Sequence, residues 1–275
     1  MATKRKFSLE MVASKKKTQS HGVPSVRNLP DKQDHVPVDV PPEVATNFKN
    51  TTLAFAFDIE THDIIRENAS AWIKGQHGFP ARVSKNTIES LRIIQIGWAV
   101  GELQSDAPAT FSRYVKPESF MVTTDATAKH HLKQAELEAQ GEKLDSILKE
   151  FVASAQQWCA RGAKLVAHQI EFDGGVIAAE LRRKGHFDLL AFWHEAVHNG
   201  ICTMDPTLGM WIREISGSVD AQGRVLGGPL GLKDAVRLMV PESTDLRRQH
   251  HAADKDAEMT WLLCKATAAI CQTTA

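Results

Sequence analysis

Leu53-Ala-Phe-Ala-Phe-Asp-Ile-Glu60 is a short apolar run that ends in two carboxylates. Four to eight apolar residues bounded by polar ones read as a buried strand. Successive strand side chains alternate faces, so Asp58 and Glu60, two residues apart, point the same way. Like charges held together on a buried strand repel unless something positive lies between them. A divalent cation does this, and hard oxygen donors favour Mg²⁺ or Mn²⁺. The same pair also fits a solvated strand end before a turn.

The rest of the fold builds outward from this run. Arg92 to Val100 is a second apolar strand, and Ala109 to Val115 alternates more weakly as a third. A helical stripe follows in 141–160, at Leu144, Ile147, Leu148, Phe151, Val152, Ala155 and Trp158. Lys164 to His168 is a fourth strand, with helices expected near 173–184 and 187–198. Ile201 begins a brief fifth strand, Pro206 to Ile215 a helix, and Ala252 to Ile270 the last helix. Gly227-Gly-Pro-Leu-Gly231 lacks the P-loop spacing and reads as a turn. Strands come first and then alternate with helices, so the class is α/β with a mixed sheet. There is no internal repeat.

Two further acidic pieces stand at element boundaries. His168-Gln-Ile-Glu-Phe-Asp173 ends a strand and opens a helix, and alone Asp173 also fits a helix N-cap. His250-His-Ala-Ala-Asp-Lys-Asp256 opens the last helix, where a carboxylate also complements the helix dipole. Histidine before it is the sharper signal, because it exchanges a proton near neutral pH.

Together the three pieces resemble the DEDDh, or DnaQ-like, exonuclease superfamily. Its pattern is D-x-E, then H-x-x-x-F-D, then H-x-A-x-x-D. Asp58-Ile-Glu60, His168 to Asp173 and His251-Ala-Ala-Asp-Lys-Asp256 match in order and spacing. The register selects His251 over His250 and Asp256 over Asp254. The likeness runs over about 51–270. It implies an RNase H-like mixed five-stranded sheet flanked by helices. It also implies a 3′–5′ exonuclease that hydrolyses phosphodiester bonds of single-stranded nucleic acid and releases nucleoside 5′-monophosphates.

By the same resemblance, Asp58, Glu60, Asp173 and Asp256 hold two Mg²⁺ or Mn²⁺ ions. Asp58 bridges them, Glu60 and Asp256 serve the ion that carries the attacking water, and Asp173 serves the second. His251 is the general base. A helical spacing of five would not set it beside Asp256, so it is expected in the loop or first turn before the final helix. The backbone after Glu60 would meet the terminal nucleotide, with Thr61 and His62 as contacts. The family's common Thr-Gly is Thr61-His62-Asp63 here, which adds a polar ring near the 3′ sugar. The family's His-Gly is His130-His131, after a Thr/Ala-rich loop, and reads as structural.

A larger departure is the segment 61–91, where the family often has a short connection. It carries Trp72, Lys74, His77, Phe79, Arg82 and Lys85. Aromatic and basic residues beside a nuclease site suit a stacking platform for single strands; they also suit a loop covering the sheet. Arg182-Arg-Lys184 complements a helix C-terminus. Arg247-Arg248, just before His251, are candidate phosphate contacts.

Charge bounds the partners. The chain of 275 residues has 33 basic and 33 acidic side chains, which speaks against binding nucleic acid by bulk charge. Residues 1–50 carry nine Lys/Arg against five Asp/Glu, and the remainder 24 against 28, so +4 faces −4. The first fifty residues, basic and Pro-containing, are expected to be a disordered tail, with 51–275 as the exonuclease domain. Such a tail fits a nuclear address, an organelle transit peptide or a tether to nucleic acid or a polymerase. Four cysteines without C-x-x-C spacing fit a reducing intracellular compartment, nucleus or cytoplasm. No apolar run nears the ~20 residues of a membrane helix. Alternative functions are an exoribonuclease or oligoribonuclease of the same fold, and a non-catalytic nucleic-acid-binding module.

Overall fold

A computed structural model of the protein describes residues 38–65, 72–74, 80–220 and 222–273, with backbone alone at 72–74 and 80–83. The expectations for residues 1–37, for His77 and Phe79, and for the side chains of Trp72, Lys74 and Arg82 fall outside it.

The elements run α1 (Pro42–Phe48), β1 (Leu53–Thr61), β2 (Trp72–Lys74), β3 (Pro80–Val83), α2 (Lys85–Ser90), β4 (Ile93–Glu102) and β5 (Ala109–Tyr114). Next come α3 (Thr124–His130), α4 (Gln134–Gln140), α5 (Leu144–Ala160), β6 (Lys164–Ala167), α6 (Ile170–Arg183), α7 (Phe187–His198) and β7 (Ile201–Cys202). Last are α8 (Pro206–Ile215), α9 (Leu232–Met239), α10 (Thr244–Arg247) and α11 (Ala253–Thr273). The main sheet has five strands in the order β5-β4-β1-β6-β7. β5, β4 and β1 are antiparallel, and β6 and β7 run parallel to β1. This is the expected mixed five-stranded sheet.

The alternation of β1 divides the core. Phe55, Phe57 and Ile59 face α5, α6 and α7, among Trp98, Phe151 and Trp193. Phe151 meets Phe55, Phe57 and Trp98 edge-on, with centroids 5.5–5.9 Å apart. Ala54 and Ala56 face the other way, toward α11 and α8. Asp58 and Glu60 continue that second face.

Small residues let α11 come close there. A Cβ on Gly97 would lie 2.1 Å from the Ala253 carbonyl carbon and the Asp254 nitrogen. Gly97 pairs with Asp58 in the sheet, so the start of α11 is pressed against the strand beside Asp58. Gln95, opposite Glu60 and 1% exposed, seats it: its Oε1 accepts the Ala253 N–H at 3.2 Å, and its Nε2 donates to Asp254 Oδ1 at 3.4 Å.

Two expectations need correction. The packed chain begins before residue 51: α1 forms within the Pro-containing stretch, and Val44 and Phe48, one turn apart, are buried in the α11-side core. Two apolar residues at i and i+4 after Pro at N1 suffice for a docked helical turn. The Thr/Ala-rich segment before His130 is helix α3 rather than a loop. Thr123 caps it by accepting the Ala126 N–H. Its end at His131 is left-handed (φ 64°), a conformation that favours glycine. His130 is buried and its Nδ1 accepts the Leu132 N–H. In the 61–91 segment, β2 and β3 form a two-stranded ribbon and α2 follows it.

Candidate active site

β1 carries Asp58 and Glu60 to the end of the sheet where β6 also finishes and hands over to α6. α11 crosses that end on the Gly97 seat. In open α/β sheets ligands gather at the carboxyl ends of the strands, and the acidic residues meet there. One carboxylate oxygen each of Asp58, Glu60 and Asp256 lies within 4.8 Å of the others. Glu60, Asp173 and Asp256 are buried, and Asp58 is partly so. Asp173 does not cap α6: that helix starts at Ile170, and Asp173 sits in its first turn with its N–H bonded to the Gln169 carbonyl. Its carboxylate is inside, where it raises the pKa of Asp58.

Burial and mutual repulsion mark the cluster. Burial first, then Asp173, Asp256 and Glu60, holds the Asp58 carboxyl well above the usual range. Burial, then the charge of Asp256, pushes Glu60 up to about 8. Burial also pushes Asp173 up to about 8 against the pull of its backbone hydrogen bonds. Lys129, exposed on α3, is the cation that opposes the rise in all three. Among the described residues one ammonium does not balance three buried carboxylates and a partly buried fourth, and an all-oxygen donor set of this density fits hard divalent cations.

Both histidines of the third acidic piece are at the site. His250 Nδ1 donates to Asp256 Oδ1 at 2.8 Å. The His251 N–H reaches Oδ1 and Oδ2 of Asp256 at 3.3 and 3.2 Å. His251 precedes α11 as expected and is left-handed (φ 74°). Its ring stacks on that of His250, with centroids 3.7 Å apart. Burial, then the neighbouring charges of His250 and Lys129, lowers the His251 imidazole to about 4. His168, bonded to Thr203 Oγ1 at 3.0 Å, is also lowered to about 4 by burial.

The neighbours of Glu60 are firmly placed. The ladder shifts register between Glu60 and Thr61, and the Thr61 hydroxyl donates to the Asp63 carbonyl at 2.7 Å. His62 Nδ1 accepts the Arg92 N–H at 3.1 Å, and its ring meets Phe120 edge-on at 5.1 Å. The Arg92 guanidinium lies over the same Phe120 ring and bonds the fully buried Glu180 at 2.8 Å.

Arg247 and Arg248 are not among the carboxylates. Arg247 donates to the Pro241 carbonyl and Thr244 Oγ1, and Arg248 pairs with Asp245 at 3.3 Å. Trp72 lies on β2. Lys129, Gln95 and His250 went unassigned in the sequence. Lys129 stands beside the His130-His131 pair, and Gln95 two residues before Gly97, but neither lies in a motif. A surface cavity of about 490 Å³ lined by Cys159, Lys164 and Phe192 opens at the opposite end of β6, away from this chemistry.

No protein-family model and no curated protein matches the chain. Solved structures do. E. coli exonuclease I in complex with a dA16 oligonucleotide superposes with a TM-score of 0.50 at 16% identity, over 78% of this chain and 40% of that one. The chain shares the fold of exonuclease I. A second exonuclease I structure gives 0.51 at 15% identity, and the E. coli enzyme with a 5cy-dA13 oligonucleotide gives 0.50 at 15%, each with the same coverage. The match thus spans about two fifths of the length of exonuclease I.

Proposed function

We propose that this chain is a metal-dependent 3′–5′ exonuclease of the DEDDh kind, releasing nucleoside 5′-monophosphates from single-stranded DNA or RNA. The carrying observation is the convergence of Asp58, Glu60 and Asp256 within 4.8 Å, beside the His250-His251 pair. The likeness in fold to exonuclease I supports it.

Asp58, Glu60 and Asp256, with Asp173 behind them, hold the cations. Mg²⁺ or Mn²⁺ bound there supplies the positive charge that offsets the phosphate and acidifies a water. His251 is unprotonated at neutral pH, as a base must be, and its imidazole takes the proton of the attacking water. The water oxygen bonds to phosphorus and the P–O3′ bond breaks; O3′ takes a proton from solvent, so the shortened strand leaves with a new 3′-hydroxyl and the terminal residue as its 5′-monophosphate. Asp256 accepts the His251 N–H and so fixes the base relative to the reaction centre. Thr61 and the rigidly held His62 border the terminal sugar. Lys129 attracts the phosphate, and Trp72 on the β2–β3 ribbon stacks a base upstream. Arg248, exposed just after α10, is the more accessible of the two arginines to the strand.

The acidic balance of the residues after 50 favours short substrates, the oligoribonuclease-like reading. Residues 1–37 serve as an address or a polymerase tether; deleting them, and stopping short of α1, abolishes co-purification of such a partner and spares activity. The deciding experiment uses 5′-labelled single-stranded DNA and RNA of matched sequence with Mg²⁺ or Mn²⁺. A ladder shortening from the 3′ end, absent with chelator and in Asp58→Ala, is expected. Binding of both polymers without cleavage under either metal would favour the binding module.

A further inference from the structure

Two groupings of metal-binding side chains share Asp256, and they differ in chemistry. Asp58, Glu60 and Asp256 offer oxygen alone. His250, His251 and Asp256 offer two imidazoles and one carboxylate, and their donor atoms also lie within 4.8 Å of one another. Adjacent residues ordinarily project apart. Here the left-handed backbone of His251 (φ 74°) accompanies two rings stacked 3.7 Å apart at 30°. His250 already points a nitrogen at Asp256 Oδ1, 2.8 Å away. Its side chain is 24% exposed, which leaves a route from solvent, while that of Asp256 is 5% exposed.

Nitrogen-rich sets select differently from carboxylate sets. Imidazole suits Zn²⁺, Co²⁺ and Ni²⁺, whereas Mg²⁺ takes oxygen. Zinc is held tetrahedrally, and three protein ligands of this kind leave the fourth position to water; bonds of about 2.0–2.2 Å put its donors roughly 3.3 Å apart. Rotation of the two part-buried imidazoles out of their stack closes that difference from 4.8 Å.

We propose that His250, His251 and Asp256 form a second metal site that takes Zn²⁺ or a similar borderline ion. Filling it withdraws His251 from proton transfer and Asp256 from the carboxylate centre, so zinc inhibits while Mg²⁺ activates. The inhibitory half rests on the reading of His251 as the base; the binding half does not.

The test titrates the full chain with Zn²⁺ in excess Mg²⁺ by calorimetry, and with Co²⁺ while following its visible spectrum. His250→Phe keeps a flat ring over His251 but removes the nitrogen. His251→Phe removes the other imidazole. Asp58→Asn disables only the all-oxygen set. One Zn²⁺ should bind the native chain and Asp58→Asn alike, with a four-coordinate Co²⁺ spectrum. Affinity should fall at least about ten-fold in both histidine variants. Zinc should inhibit the native nuclease and lose that effect in His250→Phe. Equal zinc affinity in the histidine variants, or loss of binding in Asp58→Asn, would overturn the site. Binding as expected with cleavage indifferent to zinc would overturn the inhibitory half. Absence of cleavage in every sample would count against the proposed function, while the calorimetry still decides the site.

Discussion

The two faces of the sheet use opposite packing. Toward α5–α7, β1 and β4 present Phe55, Phe57 and Trp98, and the gap is filled by large rings. Toward α11, the same strands present Ala54, Ala56, Gly97 and Ala99, then Asp58, Glu60 and Gln95. Large side chains hold layers about 10 Å apart. Removing them lets a helix start touch the strand, and it is this close approach that brings Asp256 to Asp58. Both faces bury apolar cores, but only the second also uses closeness to bring like charges together.

The contrast can be broken from either side. On the aromatic face, Phe151→Ala should cost about 3–5 kcal/mol of stability, read by denaturant unfolding, with activity per folded molecule retained. On the acidic face, Asp58→Asn should lower turnover on the order of 10³-fold, about 4 kcal/mol of barrier. It should leave the metal-free protein as stable as before or more so, because the amide no longer carries the cost of an ionisable group among neighbouring acids. Equal losses of stability from both variants would erase the distinction.

Gly97→Ala tests the close approach without touching a carboxylate. Overpacking there should cost about 1–3 kcal/mol and displace the start of α11, so activity should fall further than stability explains. A variant with unchanged nuclease rate would separate the seat from the site.

Titration of the metal-free protein sharpens the same point. Glu60 and Asp173, raised to about 8, bind protons in the folded state that they release when unfolded. Folded protein therefore holds more protons, and stability should fall as pH rises from roughly 4.5, the unfolded carboxyl range, to about 8. Saturating Mg²⁺ should flatten this slope. The smallest effect expected is Trp72→Ala, about 1–3 kcal/mol in single-strand binding if one base stacks on it, with little change in cleavage of a dinucleotide.

Much of this was legible in the sequence because it depends on local periodicity. The apolar run of β1 with its same-face carboxylates, the stripe of α5 and the span of α8 are all nearest-neighbour patterns. So is the placement of Asp58, Glu60, Asp173, His251 and Asp256 at element ends. What escaped depends on contacts across the chain. Nothing around Gly97 shows that Ala253 will lie against it, since 156 residues separate them. Val44 and Phe48 look like linker residues until α11 covers them. Lys129 lies in a Thr/Ala-rich stretch with no motif, and only the fold turns it toward the acids. Register favours His251 over His250, yet the His250 ring bonds Asp256 and the His251 ring stacks on it.

The most direct measurement is a Mn²⁺ titration of the metal-free chain at pH 7, following bound Mn²⁺ and released protons together, beside Asp58→Asn. Carboxyls that burial and mutual repulsion keep protonated must release protons as the cation enters. The expected result is Mn²⁺ binding with proton release in the native chain, with both sharply reduced in Asp58→Asn. Equal binding by the two proteins, or none by the native chain at millimolar Mn²⁺, would contradict a metal centre built on the close approach of α11 to β1.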